Sequence, residues 1–414
     1  MPIFRNKWTP LFLSNFLGVF NDNFLKNSII FIAVGWAMPA WLTQSQLISL
    51  VSASLVVPYL FLSPIAGRLA VIYSKKKVFK ICKLLEIPVL ALACVGFYFQ
   101  LVILTVLSVI LMGILSCLYS PSKYSLIRDI GGEEGVSFGS GVFEMMAFLG
   151  VLIGTIFASI VSDHYENWSV FSFLIGLGVL GYTVTSFIRA HELPVESDAS
   201  GDLNPIRFVI NSYRFASLHK HVNSAILGAA AFWLIGGMLQ MNLVIHTKHI
   251  YHTSNSTTGI VMACAAIGIA LGCWVAGKIS GKKVMTGLIL LGIAGMVLFL
   301  SILTFLSLSF NLYIGVVFCV SFMGGIFQIP NLSLIQNSNL GRKLGDMIGY
   351  LNMLTFTLIS LGSVIFSITA YITNENSYAV FGVILIICLL IGIYFLTKSP
   401  EFLKETKKMF TRNS

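Results

Sequence analysis

Four polar side chains stand close together in the first long apolar segment of the sequence: Asn21, Asp22, Asn23 and Lys26. Charged groups are costly in a lipid bilayer, so each is a functional candidate if this segment spans a membrane. Asp22 and Lys26 are four residues apart and lie on nearly one helix face. There they can neutralise each other or hold a zwitterion; the structural alternative is a buried ion pair that fixes helix packing.

Further polar residues lie in later apolar segments. Lys123 follows Pro121, and Glu144 offers a carboxylate for a proton or an amine, or for a cap or gate. The second half of the chain supplies mostly neutral hydrogen-bonding groups, so a charged wall would face an amphiphilic one. That pairing suits a substrate with an ionic head and an apolar tail. The predicted substrate-binding residues are Asn21, Asp22, Asn23, Lys26, Lys123, Glu144, Gln240, Asn331 and Asn352.

A second set lies near the basic loops and is predicted to control gating. We expect Glu86, beside Lys83, to form a solvated pair at the membrane interface, and Arg128 and Asp129 to lie in a loop. The predicted gating residues are Gly67, Arg68, Lys75, Lys76, Lys77, Glu86, Arg128, Gly277 and Lys278.

Signals for metal, cofactor or enzyme chemistry are weak. His246, His249 and His252 have a spacing that can bind a metal or sense pH, but Lys248 among them favours a loop on the outer face. The seven cysteines are scattered singly, which argues against metal and disulfide frameworks. The sequence contains no HExxH, GxSxG or GxxxxGK motif, so we predict neither an enzyme nor a cofactor.

These residues must be positioned by helices in a membrane. The chain has 414 residues, of which 57% are apolar and 10% charged, and its mean hydropathy is +0.89. A soluble domain carries about 25% charged residues. The composition therefore excludes soluble enzymes, nucleic-acid binders and disordered chains, despite a net charge of +10. It predicts an all-α polytopic membrane protein.

Apolar runs of spanning length predict twelve transmembrane helices. The loops on one side, with both termini and the adjoining helix ends, hold 24 of the 26 Lys and Arg residues; Lys26 and Lys248 are the exceptions. By the positive-inside rule both termini are cytoplasmic. The first segment has no cleavage site typical of a signal peptide. The predicted segments are 10–36, 46–73, 84–99, 101–120, 139–162, 168–188, 223–247, 257–277, 284–307, 311–334, 345–372 and 378–397.

The two halves of the chain repeat each other. Gly141 matches Gly349 at an offset of 208, and Gly67 with its following basic run matches Gly277. We therefore predict two six-helix bundles around a central pathway, the arrangement of major facilitator transporters. Residues 1–188 would form the first bundle, 189–222 a cytoplasmic linker with a short interfacial helix, and 223–414 the second bundle with a short tail.

Four parts of the sequence together indicate a family: Leu11–Asn27, Ala66–Ala70 with Lys75–Lys77, Lys83–Ile87 and Ser120–Leu126. They resemble the lysophospholipid transporter family of the major facilitator superfamily. The resemblance covers about the first 160 residues; the second half matches by architecture. It implies movement of lysophospholipid between the leaflets of the bacterial inner membrane by alternating access. Lys26 would then meet the phosphate of the headgroup and Asp22 its amine.

The resemblance has departures and leaves alternatives open. Val71 and Ile72 stand where the superfamily's loop motif has an acid and a base. Some family members are fused to acyltransferase or acyl-carrier-protein synthetase domains. This sequence ends soon after its last segment, so we expect a separate acyltransferase as partner, besides membrane lipid. The alternatives are an exporter of another amphiphile, such as a drug, fatty acid or siderophore, and a non-transporting membrane scaffold.

Overall fold

The computed structural model describes residues 6–39, 42–163, 166–195 and 203–411. In this part of the chain every regular element is helical, as the composition predicts. The α-helices are α1 (Thr9–Ile32), α2 (Gln44–Ser54), α3 (Val57–Ile72), α4 (Lys75–Tyr98), α5 (Val102–Asp163), α6 (Asn167–Ser186), α7 (Pro205–Ser217), α8 (Val222–Tyr251), α9 (Asn255–Ser280), α10 (Gly287–Phe305), α11 (Phe310–Asn337), α12 (Leu344–Ile372), α13 (Ser377–Lys398) and α14 (Glu401–Thr411).

Most of these helices have the length and composition of membrane spans. Within the described residues, nine helical segments are long and apolar enough to cross a bilayer. The charged helices α1 and α4 are not among these nine, although each is 24 residues long. Each of the twelve predicted segments nevertheless falls on helix. The chain is an integral membrane protein.

Two predicted segments differ from the structure, the first because charge does not end a helix. Helix α4 begins at Lys75, nine residues before the predicted segment, and Ser74 caps it by accepting a hydrogen bond from the Lys77 backbone N–H at 3.3 Å. Lysine is a good helix former, so the basic run extends the helix beyond its apolar part. The predicted segment 46–73 consists of α2 and α3, which are separated at Leu55 and Val56.

The predicted loop between segments 101–120 and 139–162 is wrong. Helix α5 continues through Arg128 and Asp129, and its only non-helical residue is Gly132, with φ +61° and ψ −166°. The polar residues of this stretch are compatible with helix. Glycine adopts a positive φ without the steric penalty of a side chain, so the break falls there. Two helices therefore meet end to end at one residue.

The described chain forms two compact units. Unit 1 comprises 1–130, 149–212 and 340–353, and unit 2 comprises 131–148, 213–339 and 354–414. In unit 1 the apolar core includes Phe24, Leu90 and Phe97. In unit 2 it includes Tyr313 and Phe381. The predicted division into residues 1–188 and 223–414 stays a prediction.

Candidate functional site

Asp22 on α1 begins a cluster of charged side chains in unit 1. The Ser116 hydroxyl donates to Asp22 Oδ2 at 2.9 Å. Asp22 Oδ1 is buried and has no hydrogen-bond partner among the described residues. The Lys26 ammonium donates instead to Asn23 Oδ1 at 3.2 Å, and no ion pair joins Lys26 to Asp22 in the described part of the chain. Asp22 and Lys26 lie on nearly the same helix face, but their charged groups bind different partners.

Lys83 and Glu86 on α4 form a buried ion pair. The Lys83 ammonium lies 2.7 and 2.9 Å from the two carboxylate oxygens of Glu86. The two side chains are 1% and 2% exposed. The predicted solvated pair at the interface is therefore wrong, because α4 starts earlier than expected and both residues lie inside the helical part of unit 1. The charges compensate each other, as burial of an ion pair requires.

Tyr119 on α5 joins the ion pair to Asp22. Its hydroxyl lies 3.3 Å from Lys83 Nζ and 3.4 Å from Ser116 Oγ. Because Ser116 donates its single proton to Asp22, Tyr119 donates to Ser116 and accepts from Lys83. The hydrogen bonds thus form a directed chain from Lys83 through Tyr119 and Ser116 to Asp22.

Lys123 completes the group, which we call the polar cluster: Asp22, Lys83, Glu86, Ser116, Tyr119 and Lys123. Its ammonium lies 3.1 Å from Asn15 Oδ1 and 5.4 Å from the centre of the Tyr119 ring. The ring of Phe79 also stacks on this tyrosine, with ring centroids 5.0 Å apart. Two carboxylates and two ammonium groups balance formally, so the polar cluster can take up a zwitterion without net charge.

Three of the other predicted substrate-binding residues, all asparagines, also lie in unit 1. Asn21 is buried, and neither polar atom of its side chain has a partner among the described residues. Asn352 donates to Ser120 Oγ at 3.0 Å, one residue along the chain from Tyr119. Asn23, which also donates to the Val19 carbonyl at 2.9 Å, is occupied within its own helix.

The remaining three predicted residues, Glu144, Gln240 and Asn331, belong to unit 2, whereas the polar cluster belongs to unit 1. Glu144 is buried, at 2% exposure. Asn331 is buried and donates to the carbonyl of Phe327, one turn earlier in α11, at 2.8 Å. Gln240 is exposed on α8.

The predicted gating residue Lys75 lies in a second buried network of unit 1. Its ammonium contacts Asp129 Oδ2 at 2.7 Å, and both side chains are buried. Glu192, from the segment after α6, accepts hydrogen bonds from the backbone N–H groups of Lys75 and Lys76 at 2.7 and 3.1 Å and from Ser74 Oγ at 2.9 Å. A carboxylate is favourable at a helix N-terminus, so Glu192 caps α4.

Arg342 caps the C-terminal end of α3. Its guanidinium donates to the carbonyls of Val71 and Tyr73 at 3.0 and 2.6 Å and lies 3.6 Å from Glu192 Oε2. Cations stabilise helix C-termini, where carbonyls lack partners. Val71 and Ile72 stand where the superfamily's loop motif has an acid and a base. The buried Arg342 binds this end of α3.

Four other predicted gating residues are exposed or only partly buried. Lys77 and Lys278 are exposed, and Lys278 Nζ lies 5.0 Å from the centre of the Trp274 ring. Arg68 and Arg128 are partly buried on α3 and α5.

Gly67 and Gly277 lie where helices cross in backbone contact. In unit 1, a Cβ atom on Gly349 would lie 2.8 Å from the Ser63 carbonyl oxygen and 3.1 Å from Gly67 Cα. In unit 2, a Cβ on Gly277 would lie 3.0 Å from Gly141 Cα. Side chains larger than hydrogen do not fit such crossings. Each crossing joins one glycine of the first sequence half to one of the second.

The histidine prediction needs correction. His246 and His249 belong to helix α8, not to a loop, and His252 caps it. His246 is buried, with Nδ1 2.8 Å from Ser377 Oγ. Its ring packs among Tyr251, Tyr313, Tyr378 and Phe381. Within the described residues no group of three or more His, Cys, Asp or Glu side chains is placed to hold a metal ion.

Sequence reasoning missed Ser116, Tyr119, Glu192 and Arg342 as site residues. A signal for the first two was available: Ser116, Tyr119 and Lys123 are spaced by three and four residues, so they share one helix face. No local pattern connects Glu192 to Arg342, because they are 150 positions apart and meet only through the fold.

Comparison with known proteins identifies one family, and solved structures of similar fold agree with it. The family model described as Major Facilitator Superfamily matches residues 11–363. Among curated proteins, the chain is similar to the lysophospholipid transporter LplT of Serratia proteamaculans (strain 568), at 23% identity over 343 residues and 81% of each chain. LplT of Shigella flexneri serotype 5b (strain 8401) is 24% identical over 331 residues and 78% of each chain.

Solved structures of similar fold are also transporters. The human organic anion transporter MFSD10 (TETRAN) superposes with a TM-score of 0.75 at 14% identity, covering 93% of this chain and 98% of its own. FucP in its outward conformation gives a TM-score of 0.72 at 11% identity, covering 94% and 99%. At these identities the likeness establishes the fold.

Proposed function

The chain belongs to the Major Facilitator Superfamily, and from this premise we propose that the small molecule it transports is a lysophospholipid. The curated relatives that carry this name align with about four fifths of the chain. The single observation that supports the substrate class is the polar cluster. A lysophospholipid headgroup combines a phosphate with, in many cases, an amine, and the polar cluster holds both signs of charge in a buried setting.

Asp22 is the residue we assign to the amine of the headgroup. One carboxylate oxygen accepts from Ser116, whereas Oδ1 is buried and accepts no hydrogen bond from the described residues. Buried acceptors are normally hydrogen-bonded, so an acceptor in this state is suited to a ligand's donor. An ammonium group there would gain a charge-assisted hydrogen bond.

Lys123, rather than the predicted Lys26, is the residue we assign to the phosphate. Each lysine donates to an asparagine, Lys26 to Asn23 and Lys123 to Asn15. Lys123 also lies against the ring of Tyr119, whose hydroxyl leads through Ser116 to Asp22. Lys83 is less suited to the phosphate, because Glu86 occupies it with both carboxylate oxygens. The single acyl chain would follow apolar helix faces.

Transport in this proposal uses alternating access between two homologous halves. The glycine crossings and the Arg342 network would form and break as the halves move. We infer that the protein lies in the bacterial inner membrane with both termini in the cytoplasm, because basic residues are concentrated on the side of the predicted spans that carries the termini. A separate cytoplasmic acyltransferase would consume the delivered lipid.

Transfer of labelled lysophosphatidylethanolamine into proteoliposomes tests the site. Asp22→Asn and Lys123→Gln should each lower the transfer rate at limiting substrate by about thirty-fold or more, because loss of one partner of a buried charged contact costs about 2–5 kcal/mol. The matched control is Lys282→Gln, which removes a lysine that is 79% exposed and should leave transfer unchanged.

Two results would contradict the proposal. Normal transfer by both folded variants would remove the polar cluster from the headgroup site. Absence of lysophospholipid transfer by the unmodified protein, together with movement of hydrophobic cations from a test panel, would identify it as a carrier of another amphiphile.

A further inference from the structure

Helix α7 has two opposite apolar faces, of which only one is used inside the protein. Phe208, Ser212 and Ala216, spaced by four residues, are buried. On the opposite side Ile206, Ile210 and Tyr213 form what we call the apolar stripe, and they are 72%, 44% and 56% exposed. A thirteen-residue helix in water would normally carry polar side chains on its outer face. The apolar stripe therefore needs a covering.

Two arginines border the apolar stripe along one edge. Arg207 and Arg214 are seven residues apart, so they project nearly in line, next to the apolar stripe on the helix surface. Both are exposed, and no ion pair engages either guanidinium among the described residues. An apolar face bordered by cations is the pattern of helices that lie on membranes with anionic lipid.

A short connection to a membrane span and two hydrogen bonds hold α7 near a bilayer surface. Helix α8, which has the length and composition of a membrane span, begins at Val222, five positions after α7 ends at Ser217. The Asn223 side chain donates to the Tyr213 carbonyl at 3.1 Å and to Ser217 Oγ at 2.7 Å, so α7 is held against the start of α8. A short tether and these hydrogen bonds keep α7 at the end of a membrane span.

The neighbouring segment of the chain is a poor cover for the apolar stripe. Residues 196–202 read Glu-Ser-Asp-Ala-Ser-Gly-Asp, with three acids and no large apolar side chain. We propose that the apolar stripe of α7 lies in the bilayer interface and that Arg207 and Arg214 bind the phosphates of anionic phospholipids. This surface is separate from the polar cluster, so the inference does not depend on the transported substrate.

Depth-dependent quenching in the full-length protein tests the proposal. A fluorescent amino acid is placed by amber suppression at Ile206, or at Asn211 on the polar side of α7 as the matched position. The protein is reconstituted in nanodiscs of phosphatidylcholine with or without phosphatidylglycerol, and each contains a lipid brominated near its headgroup. We expect strong quenching at 206, weak quenching at 211, and greater quenching at 206 when phosphatidylglycerol is present.

Charge removal distinguishes lipid binding from simple exposure. Each basic residue near an anionic surface contributes about five-fold to binding, so Arg207→Gln with Arg214→Gln should lower the ratio of membrane-bound to unbound α7 by about 25-fold in anionic nanodiscs only. The control, Lys283→Gln with Lys404→Gln, removes two exposed charges elsewhere and should change nothing.

Three outcomes would overturn the proposal. The first is quenching at 206 no stronger than at 211 in anionic nanodiscs. The second is quenching that ignores both lipid charge and the two arginines. The third is protection of 206 only after a soluble protein fraction is added, which would assign the apolar stripe to a protein partner.

Discussion

Replacing Lys83 by methionine is expected to destabilise the protein strongly. The Glu86 carboxyl, which is 2% exposed, would lose the cation that contacts both of its oxygens. Removing one partner of a buried ion pair costs about 3–5 kcal/mol. The Tyr119 hydroxyl would also lose the donor that begins its chain of hydrogen bonds. The loss should appear as a lower free energy of unfolding for Lys83→Met.

Removing both charges together should restore stability. In Lys83→Met with Glu86→Leu, no uncompensated charge remains, and exchange of a buried ion pair for apolar side chains of similar size is often neutral or stabilising. The two single losses should therefore not add, and their coupling energy should be about 3 kcal/mol or more. Transport should remain impaired in the double variant, because Lys83 no longer orients Tyr119 towards Ser116 and Asp22.

A double-mutant cycle measures this coupling. The four proteins are unfolded with SDS in mixed micelles, their helicity is followed, and transport is measured separately in proteoliposomes. The matched control is the exposed pair Lys282 and Glu134, 3.1 Å apart, whose coupling should be about 0–1 kcal/mol. Additivity of the Lys83 and Glu86 losses within about 0.5 kcal/mol would refute the buried ion pair as described.

Two other predictions concern the helix ends. Arg342→Gln leaves the carbonyls of α3 without their cationic donor, so hydrogen exchange of backbone amides 71–76 should accelerate; unchanged exchange would contradict the cap. The Lys220 ammonium lowers the pKa of Glu401 to about 2 from 4.5. The contribution of this contact to α14 docking is therefore full above pH 4.5 and lost as the pH falls towards 2. Exchange protection of α14, corrected for intrinsic rates, should fall over that range in wild type but not in Glu401→Gln; equal profiles would argue against this contact.

Composition and spacing were sufficient to predict the fold class. Long apolar runs can satisfy their backbone only as helices in a membrane, so the all-helical architecture follows from the sequence. The repeat of Gly67 at Gly277 and of Gly141 at Gly349 was visible as well. Helix ends were harder to predict, because the end of an apolar run shows where a segment leaves the lipid and not where the helix ends. Helix α4 begins within a run of lysines, and α5 continues through Arg128 and Asp129 up to Gly132.

The candidate site was predicted only in part. Asp22 was recognisable because a carboxylate in an apolar segment is unusual. Its real neighbours come from α4 and α5, and which lysine approaches it depends on helix rotation and packing that one sequence does not encode locally. The interface position expected for Glu86 was wrong because α4 begins at Lys75, which places this residue in the interior of the helix.

The two glycine crossings bear on the ancestry of the chain. Gly67 meets Gly349, and Gly141 meets Gly277; since Gly67 corresponds to Gly277 and Gly141 to Gly349, the same contact occurs twice with the partners exchanged. Reciprocal contacts of this kind define an isologous interface between identical subunits. A homodimer of six-helix chains that made the same contacts would possess both seams.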